Sequence, residues 1–282
     1  MKVAVTSASG QLGSAIIRQL IQEIGKENVI AIARTPAKAQ HLGVEVRNGD
    51  YNSREQFDEA LKGVDAVMLL SGMDAPDKRI GQHRNVIEAA KANGVKKIVY
   101  TSIVGAEEGT AFSPIVQSNR QTEVDVRNSG LDWVIGRNGI YIEPDLEYID
   151  NYVKASGISN CAGDGKCGYT SRPELAYVYA QMALEKKHNG ETYNLVGEAI
   201  TQARLAELIN EVYGTHLNYQ PVSVAEYAKE RKTALGEFMG TIIAGIYEGI
   251  RNGENEVASD FKKAARRAHK TPLEMVRSLR VS

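Results

Sequence analysis

The chain has 282 residues, and its 34 lysines and arginines nearly balance its 35 aspartates and glutamates, which gives a formal net charge of −1. Hydrophobic residues are 43% and charged residues 24% of the sequence, a composition that excludes a disordered, collagen-like or coiled-coil chain. Because nucleic-acid binding depends on excess positive charge, this balance also argues against nucleic acid as a partner.

The sequence predicts a cytoplasmic protein without membrane contact. Its first residues read as a strand, since the apolar region and small-residue cleavage site of a signal peptide are missing. No apolar run approaches the ~20 residues that a membrane helix needs. Cys161 and Cys167 are too few for a disulfide framework, and we interpret them as incidental thiols rather than a redox pair.

Over residues 1–139, short apolar runs alternate with stretches of helical period. The apolar runs predict strands over Val3–Thr6, Val29–Ala33, Val44–Arg47, Ala66–Leu70, Lys97–Thr101 and Trp133–Gly136. The stretches between them predict helices over Gln11–Ile24, Ser53–Leu61, Asp77–Asn93 and Ile115–Ser129. The fourth strand is apolar on both faces, as in a parallel sheet covered by helices. The alternation therefore predicts an α/β fold with a doubly wound parallel sheet.

Beyond residue 139 the alternation stops and helical stretches dominate. Helices are predicted over Pro173–Glu185, Gln202–Tyr213, Val224–Leu235, Phe238–Arg251 and Ser259–His269. The strand-like pieces Tyr193–Val196 and Leu217–Tyr219 look isolated. We interpret residues 140–282 as a smaller, mostly helical lobe packed on the sheet edge, not as an independent domain.

A glycine-containing turn follows the first predicted strand. Gly10 and Gly13 stand where a Gly-x-x-Gly-x-x-Gly dinucleotide turn has its second and third glycines, and Ser7 replaces the first. Gly10 lets the backbone approach a pyrophosphate, and the helix N-terminus supplies N–H groups to the phosphates. The pattern predicts a dinucleotide site, and the alternative is a tight strand-to-helix turn without a ligand.

The end of the second strand indicates which dinucleotide is bound. A site for NAD places a carboxylate here to accept a hydrogen bond from the ribose 2′-hydroxyl. No acidic residue occurs between Asn28 and Val44, and Arg34 stands at this point with Lys38 one turn further on. A guanidinium suits a 2′-phosphate, so the sequence favours NADP(H). A solvated surface arginine is the alternative.

Further segments follow predicted strands, at the edge where open α/β sheets bind ligands. After the third strand, the Asp50 carboxylate suits the adenine amino group and Tyr51 can cover the base, although a polar loop is the alternative. Small residues after the fourth strand leave room for the cofactor backbone. The segments after the fourth and sixth strands are Leu70, Ser71, Gly72, and Arg137, Asn138, Gly139, Ile140, Tyr141.

Several catalytic patterns are absent from the sequence. None of the 13 tyrosines has a lysine four residues later, so the Tyr-x-x-x-Lys pair for proton transfer is missing. The five histidines show no metal-ligand spacing, and we predict no metal site. No Gly-x-Ser-x-Gly elbow indicates a hydrolase.

At family level, the sequence resembles the NmrA-like branch of the atypical short-chain dehydrogenases/reductases. Within that branch it is most similar to the NADPH:quinone oxidoreductase type 2 and triphenylmethane-dye reductase group. The resemblance rests on the turn from Ser7 to Gly13, on Ala33-Arg34-Thr35-Pro36, Gly49-Asp50-Tyr51, Gln82-His83-Arg84-Asn85-Val86, Tyr100-Thr101-Ser102, Thr122-Glu123, Arg137-Asn138-Gly139 and Ala162-Gly163-Asp164-Gly165. It extends over nearly the whole chain.

The resemblance implies a Rossmann-like domain over residues 1–139 and a smaller substrate lobe over 140–282, with NADP(H) in the cleft between them. It implies a phosphate loop of Ser7, Ala8, Ser9, Gly10, Gln11 and Leu12. It places Arg34 at the 2′-phosphate and passes the cofactor backbone along Leu70, Ser71 and Gly72. The nicotinamide end then meets Arg137, Asn138, Gly139 and Tyr141.

Two positions depart from the family pattern. Ser7 replaces the first glycine of the turn, and its Cβ is expected to narrow the pyrophosphate site. Asn119 stands three residues before Thr122-Glu123, where the similar reductases often carry a histidine. This second departure affects the acceptor side of the site.

The combined reading is an NADPH-dependent oxidoreductase that transfers a hydride to a quinone-like or other conjugated, electron-poor acceptor. Such an acceptor becomes an anion that water can protonate, which fits the missing tyrosine–lysine pair. We expect Asn119, Asn138 and Tyr141 to line the acceptor face, with ordinary loop hydrogen bonds as the alternative for each. A non-catalytic NADP(H)-binding sensor is the main alternative function, and a sugar-nucleotide epimerase is disfavoured by the missing pair. The expected partner is a small-molecule acceptor such as a quinone, with a homodimer possible.

Overall fold

A seven-stranded parallel sheet forms the centre of the computed structural model, which describes residues 1–280. Its strands are β1 (Val3–Val5), β2 (Val29–Ala33), β3 (Glu45–Asn48), β4 (Ala66–Leu70), β5 (Lys97–Ile103) and β6 (Asp132–Asn138), followed in the chain by β7 (Gly157–Asn160), β8 (Lys166–Gly168), β9 (Glu191–Leu195), β10 (Ala199–Thr201) and β11 (Asn218–Pro221). The order in the central sheet is β3-β2-β1-β4-β5-β6-β9. The direction of winding therefore reverses between β1 and β4, which is where such sheets bind nucleotides.

Helices cover both faces of the central sheet. They are α1 (Gln11–Ile24), α2 (Arg54–Ala60), α3 (Pro76–Ala92), α4 (Ser113–Arg127), α5 (Glu143–Glu147), α6 (Ile149–Lys154), α7 (Arg172–Leu184), α8 (Gln202–Tyr213), α9 (Val224–Leu235), α10 (Glu237–Arg251), α11 (Phe261–Ala265) and α12 (Pro272–Leu279). On one face, α1 and α7 pack around Leu20 and Tyr179. On the other face, α2, α3 and α4 pack around Phe57 and Tyr100. The predicted doubly wound α/β fold is confirmed.

Two central strands are longer than predicted. The sequence predicts ends at Thr101 and Gly136, but the pairing of β5 with β6 continues to Ile103 and Asn138. Arg137 and Asn138 are therefore strand residues and not loop residues. Polar side chains obscure these strand ends in the sequence, although backbone hydrogen bonds to the neighbouring strand hold them.

The strand predicted to be isolated at Tyr193–Val196 instead belongs to the central sheet. It forms β9 over Glu191–Leu195 and pairs in parallel with β6. Helix α7, which precedes it, packs against α1 on the sheet. Residues beyond 139 thus contribute to the sheet, while the division of the chain at residue 139 stays a prediction.

The rest of the second half forms the smaller lobe, which is mostly helical as predicted. Its own apolar core includes Ile158, Tyr169, Leu205 and Ile250. β8 pairs with β10, and β7 pairs with β11. The sequence missed β7, β8, β10, α5 and α6, which are too short to give a periodic signal, and it also missed α12, whose eight residues do carry an apolar stripe.

The helix predicted over Ser259–His269 is wrong beyond Ala265. Helix α11 ends there, and Arg266 takes a left-handed conformation with φ 58°. Arg267 then turns back to the buried carboxylate of Glu174, with 2.6 Å between Nη1 and Oε2. This ion pair redirects the chain, and a helical period cannot reveal it.

Close backbone approach fixes the positions of two helices, α1 and α10. A Cβ on Gly13 would lie 2.5 Å from the Ser7 carbonyl oxygen, so α1 can begin against the first turn only with glycine here. A Cβ on Gly245 would lie 2.4 Å from the Phe112 nitrogen, so α10 of the lobe packs directly on the segment after β5. Among residues 1–280, no helix combines the length and apolar character that crossing a bilayer requires.

Candidate cofactor site

The first turn leaves the start of α1 open to a ligand. The Gly10 N–H donates to the Ser7 carbonyl at 2.9 Å, and α1 then begins without a capping side chain or an acidic residue in its first turn. Ala8 is buried, whereas Ser9, Gly10 and Gln11 are exposed and Leu12 is partly buried. The helix therefore presents N–H groups and a positive dipole end at the carboxyl edge of the central sheet.

Ser7 adopts the backbone conformation for which the missing glycine is suited. Its φ is 51°, and it is one of three non-glycine residues with positive φ among residues 1–280. This left-handed conformation costs a residue with a side chain roughly 1–2 kcal/mol. The hydroxyl of Ser7 donates to the Tyr51 hydroxyl at 3.2 Å.

Tyr51 joins the ends of three strands beneath the turn. Its hydroxyl donates to the Leu70 carbonyl at 2.6 Å and lies 2.7 Å from the Thr6 hydroxyl. Its ring stacks on Phe57, with 5.6 Å between ring centroids. Burial raises the pKa of Tyr51 to about 12, so the phenol stays protonated. Tyr51 therefore supports the floor of the turn, while its predicted contact with adenine stays a prediction.

The segments that follow the carboxyl ends of β1 to β6 form one edge of the central sheet, which we call the rim. Arg34 and Asp50 lie on the part of the rim that follows β2 and β3. Arg34 is exposed just beyond β2 and makes no side-chain hydrogen bond or ion pair within residues 1–280. The Asp50 carboxylate accepts hydrogen bonds from the backbone and side-chain nitrogens of Asn52, at 2.9 and 3.0 Å. Arg34 is thus available to a ligand, and Asp50 also shapes its own turn.

The segment after β4 is held from both sides. On the β5 side, the Ser71 N–H donates to the Thr101 hydroxyl at 3.0 Å. On the α3 side, the Gly72 N–H donates to His83 Nε2 at 3.0 Å. His83 Nε2 is therefore the acceptor, and the proton resides on Nδ1, which faces the Thr122 hydroxyl at 2.9 Å. These hydrogen bonds fix the segment along which the cofactor backbone is predicted to pass.

Acidification is expected to destabilise the fold partly through His83. Burial, reinforced by the charge of Arg79, lowers the pKa of His83 from 6.5 to about 3. The unfolded chain then binds a proton that the folded protein excludes, so stability is lost as pH falls below 6.5, by about 1.4 kcal/mol per pH unit. The free energy of unfolding, measured with denaturant, should fall less steeply between about pH 7 and pH 5 in His83→Gln than in the parent. Equal declines would contradict this assignment.

Asn119 lies beneath the rim and not on an open surface. It is 2% exposed. Its Oδ1 accepts from the hydroxyls of Ser71 and Tyr100, both at 2.7 Å, and its Nδ2 donates to the Ile115 carbonyl at 2.8 Å. In this arrangement Asn119 positions Ser71, its Nδ2 keeps a second N–H, and its predicted contact with an acceptor stays a prediction.

Asn138 and Tyr141 are brought together as the sequence predicts. Asn138 Nδ2 donates to the Tyr141 hydroxyl at 3.2 Å, and Asn138 Oδ1 accepts from the Tyr179 hydroxyl at 2.6 Å. Burial raises the pKa of Tyr141, and the Arg172 guanidinium lies 5.3 Å from its ring centroid. Since Asn138 donates to the Tyr141 oxygen, the phenol proton of Tyr141 remains free for another acceptor.

Arg137 is held by a residue whose role the sequence did not reveal. Its Nε and Nη2 donate to the two carboxylate oxygens of Glu123, at 2.8 and 2.7 Å. Glu123 is fully buried and also meets Arg120 and Arg127, at 2.9 and 3.0 Å. Although burial opposes ionisation, these bonds and charges lower the pKa of Glu123. The Arg137 guanidinium is thus held by Glu123, while its predicted contact with the nicotinamide end stays a prediction.

Other residues also shape this edge of the sheet: His83 and Tyr100 belong to segments that carry the family resemblance, although the sequence did not indicate their roles, and Tyr179 was not predicted. His83, Tyr100 and Tyr179 support Gly72, Ser71 and Asn138 from below. A polar side chain on the apolar face of a helix or strand is the one signal that could have indicated them, and it does not name the partner. Gly139 has no room for a side chain, because a Cβ there would lie 2.4 Å from the Gly168 carbonyl oxygen.

The strand ends bring the predicted residues to one edge of the sheet, where Ser9, Gly10, Gln11 and Arg34 are exposed. A Cβ on Gly10 would meet only the Ser7 carbonyl oxygen, at 3.2 Å, so the protein itself leaves the space above the turn free. Arg34 adds a cation with no partner in the described chain. No group of three or more potential metal ligands occurs among residues 1–280.

Comparison with known proteins identifies the family. A family model described as NAD(P)H-binding matches residues 7–186. The chain is 36% identical over 256 residues to quinone oxidoreductase 2 of Escherichia coli, which covers 89% of this chain and 88% of that protein. The crystal structure of the E. coli NADPH-dependent quinone oxidoreductase QOR2 complexed with NADPH matches with a TM-score of 0.90 and 32% identity, over 98% of this chain and 99% of that one. Citrobacter sp. triphenylmethane reductase complexed with NADP(H) matches with a TM-score of 0.89 and 34% identity, over 98% and 99% of the two chains.

Fold and site together define a nucleotide-binding protein of the doubly wound α/β class. The chain belongs to the NAD(P)H-binding family. The predicted resemblance to the quinone oxidoreductase type 2 and triphenylmethane reductase group is confirmed.

Proposed function

We propose that this protein is an NADPH-dependent oxidoreductase that transfers a hydride to a quinone-like or other conjugated, electron-poor acceptor. The observation that carries the proposal is a single rim that joins an open α1 N-terminus and an unpaired Arg34 to the Asn138–Tyr141 pair. The first part suits a phosphorylated dinucleotide. The second part offers a phenol proton to a carbonyl oxygen.

The bound dinucleotide would supply the hydride, and the residues of this chain would bind the cofactor and the acceptor and orient them. The turn from Ser7 to Leu12 and Arg34 would hold the phosphates, while Ser71 and Gly72 would lie beside the cofactor backbone. Tyr141, oriented by Asn138, would donate to the acceptor carbonyl. Raised by burial, the pKa of Tyr141 keeps this donor protonated at neutral pH. Water would then protonate the reduced acceptor, so no protein side chain has to give up a proton.

Arg34→Ala is expected to remove most of the preference for NADPH over NADH. A charge-assisted contact with the 2′-phosphate is worth roughly 1.5–3 kcal/mol, or one to two decades in affinity. NADH has no such phosphate, so its dissociation constant should change little. Titration of both cofactors against parent and variant checks this prediction. Equal affinities of the parent for the two cofactors would sink the assignment of Arg34.

Tyr141→Phe is expected to lower turnover by about tenfold to 100-fold, because small misplacements of reacting groups are costly. The NADPH dissociation constant should stay near that of the parent. Rates near neutral pH should lack the steep loss that an obligatory protein base produces. Steady-state kinetics across pH test both points, and unchanged turnover would remove Tyr141 from the acceptor site.

The proposed activity is tested by NADPH oxidation against a panel of benzoquinones, naphthoquinones, cationic triphenylmethane dyes and enones. Acceptor-dependent oxidation by at least one class supports the proposal. Tight NADPH binding without oxidation across the whole panel would refute it and favour the non-catalytic sensor. The inward position of Asn119 would then be the first place to examine.

A further inference from the structure

Helix α3 buries an arginine that lacks an acidic partner. Arg79 is 4% exposed, and its one side-chain hydrogen bond within residues 1–280 runs from Nη2 to the Asp74 carbonyl oxygen at 3.0 Å. Its Nε is buried without any partner. Arg84 on the same helix, by contrast, is paired with Asp125 at 2.7 Å. A guanidinium has five N–H donors, so most of the capacity of Arg79 is unused.

The guanidinium lies among the groups that hold the rim after β4. Asp74, whose backbone carbonyl accepts from Arg79, belongs to that segment, and the charge of Arg79 acts on both His83 and Tyr100. His83 holds Gly72, and the Tyr100 hydroxyl lies 3.0 Å from that of Ser71. Arg79 is therefore next to the surface along which we expect the cofactor and the acceptor to lie.

This arrangement is costly unless a ligand completes it. A buried charge without a partner destabilises a fold by several kcal/mol. The Asp74 carboxylate is near enough to favour this charge, but it makes no direct contact with the guanidinium and accepts instead from Gln82 Nε2. Gln82 is itself buried, and its Oε1 also has no partner. One face of α3 thus keeps an unused donor and an unused acceptor beside the rim.

We propose that Arg79 is an anion-binding residue of the cleft, and that its ligand is an oxyanion. Two sources share this chemistry: a phosphate group of the bound dinucleotide, and the oxygen that becomes negative when a quinone accepts a hydride. A planar guanidinium binds either with charge-assisted hydrogen bonds. The second source rests on the proposed function, whereas the first requires only cofactor binding.

The test compares the parent with Arg79→Met, Arg79→Gln and the control Arg84→Gln, which removes an exposed cation from the same helix. For each protein, the NADPH dissociation constant, the turnover with a benzoquinone at saturating NADPH and the Tm without ligand are measured. Loss of one or more decades in NADPH affinity identifies a phosphate as the ligand. A similar loss in turnover with unchanged affinity identifies the acceptor oxyanion. In both cases the Tm of Arg79→Met without ligand should equal or exceed that of the parent, because a costly charge is gone.

The remaining outcomes overturn the proposal. If the Arg79 variants have a lower Tm but keep NADPH affinity and turnover within about threefold of the parent, Arg79 has a purely structural role. Failure of both Arg79 variants to fold would do the same, since Arg79→Gln keeps a donor for the Asp74 carbonyl. Equal losses in Arg84→Gln would show a general effect of charge. If none of the acceptors in the panel is reduced by the parent protein and NADPH, the proposed function fails. The NADPH affinities of the variants still decide whether Arg79 binds a phosphate.

Discussion

Replacing Glu123 with glutamine is expected to lower the free energy of unfolding by about 3 kcal/mol. Breaking a buried ion pair costs roughly 3–5 kcal/mol, because the surviving charge is left without compensation. The lower end applies because the side chains of Arg120, Arg127 and Arg137 remain 15%, 35% and 29% exposed. The loss should come with weaker turnover, since the freed Arg137 precedes Asn138 on β6.

Denaturant unfolding measures this change, and Glu107→Gln is the matched control. Glu107 also pairs with Arg120, at 3.7 Å, but its side chain is 58% exposed, so its loss should cost less than about 1 kcal/mol. The pKa of Glu123 is lowered from 4.5, so its contribution is complete above that value and is lost as pH falls through the lower one. Similar costs for the two variants would contradict the central role of Glu123.

Gly10→Val is expected to abolish cofactor binding while the fold survives. The branched side chain would fill the space above the turn where the pyrophosphate would lie, and we expect a loss of at least about two decades in NADPH affinity. Gly10 is exposed and has a φ of −80° that valine can adopt, but the new Cβ would lie 3.2 Å from the Ser7 carbonyl oxygen, so we expect a small loss of Tm without loss of the fold. Titration with NADPH, together with the Tm without ligand, measures both effects.

Gly13→Ala is the contrasting control for this prediction. Its Cβ would lie 2.5 Å from the Ser7 carbonyl oxygen and 3.1 Å from the Ala8 Cα, so it should destabilise the fold itself. A Gly10→Val protein that binds NADPH like the parent would show that the cofactor does not lie on this turn.

Much of the fold could be predicted because its signals are local. Strands β2 and β4 and helices α1, α8 and α9 have the bounds that their apolar period indicates. The pairing of β9 with β6 was missed because nothing local to residues 191–195 records which strand lies alongside. The short elements of the lobe were missed for a related reason, since tertiary packing rather than periodicity stabilises them.

The candidate site shows the same division. The rim residues could be predicted because parallel strands bring their carboxyl ends to one edge of the sheet. Among them, Gly10, Arg34, Ser71 and Tyr141 each follow such an end. Side-chain direction could not be predicted. Arg137 turns to Glu123 and Asn119 turns to Ser71 because partners from other elements are there to bind them.

One anaerobic mixing experiment tests the central claim most directly. Protein loaded with one equivalent of NADPH is mixed with excess benzoquinone, and the nicotinamide absorbance and the hydroquinone formed are followed together. The proposed function predicts that each bound NADPH is oxidised as one hydroquinone forms, far faster than NADPH free in solution and more slowly in Tyr141→Phe. Bound NADPH that persists, or that disappears only at the rate of free NADPH, would contradict it.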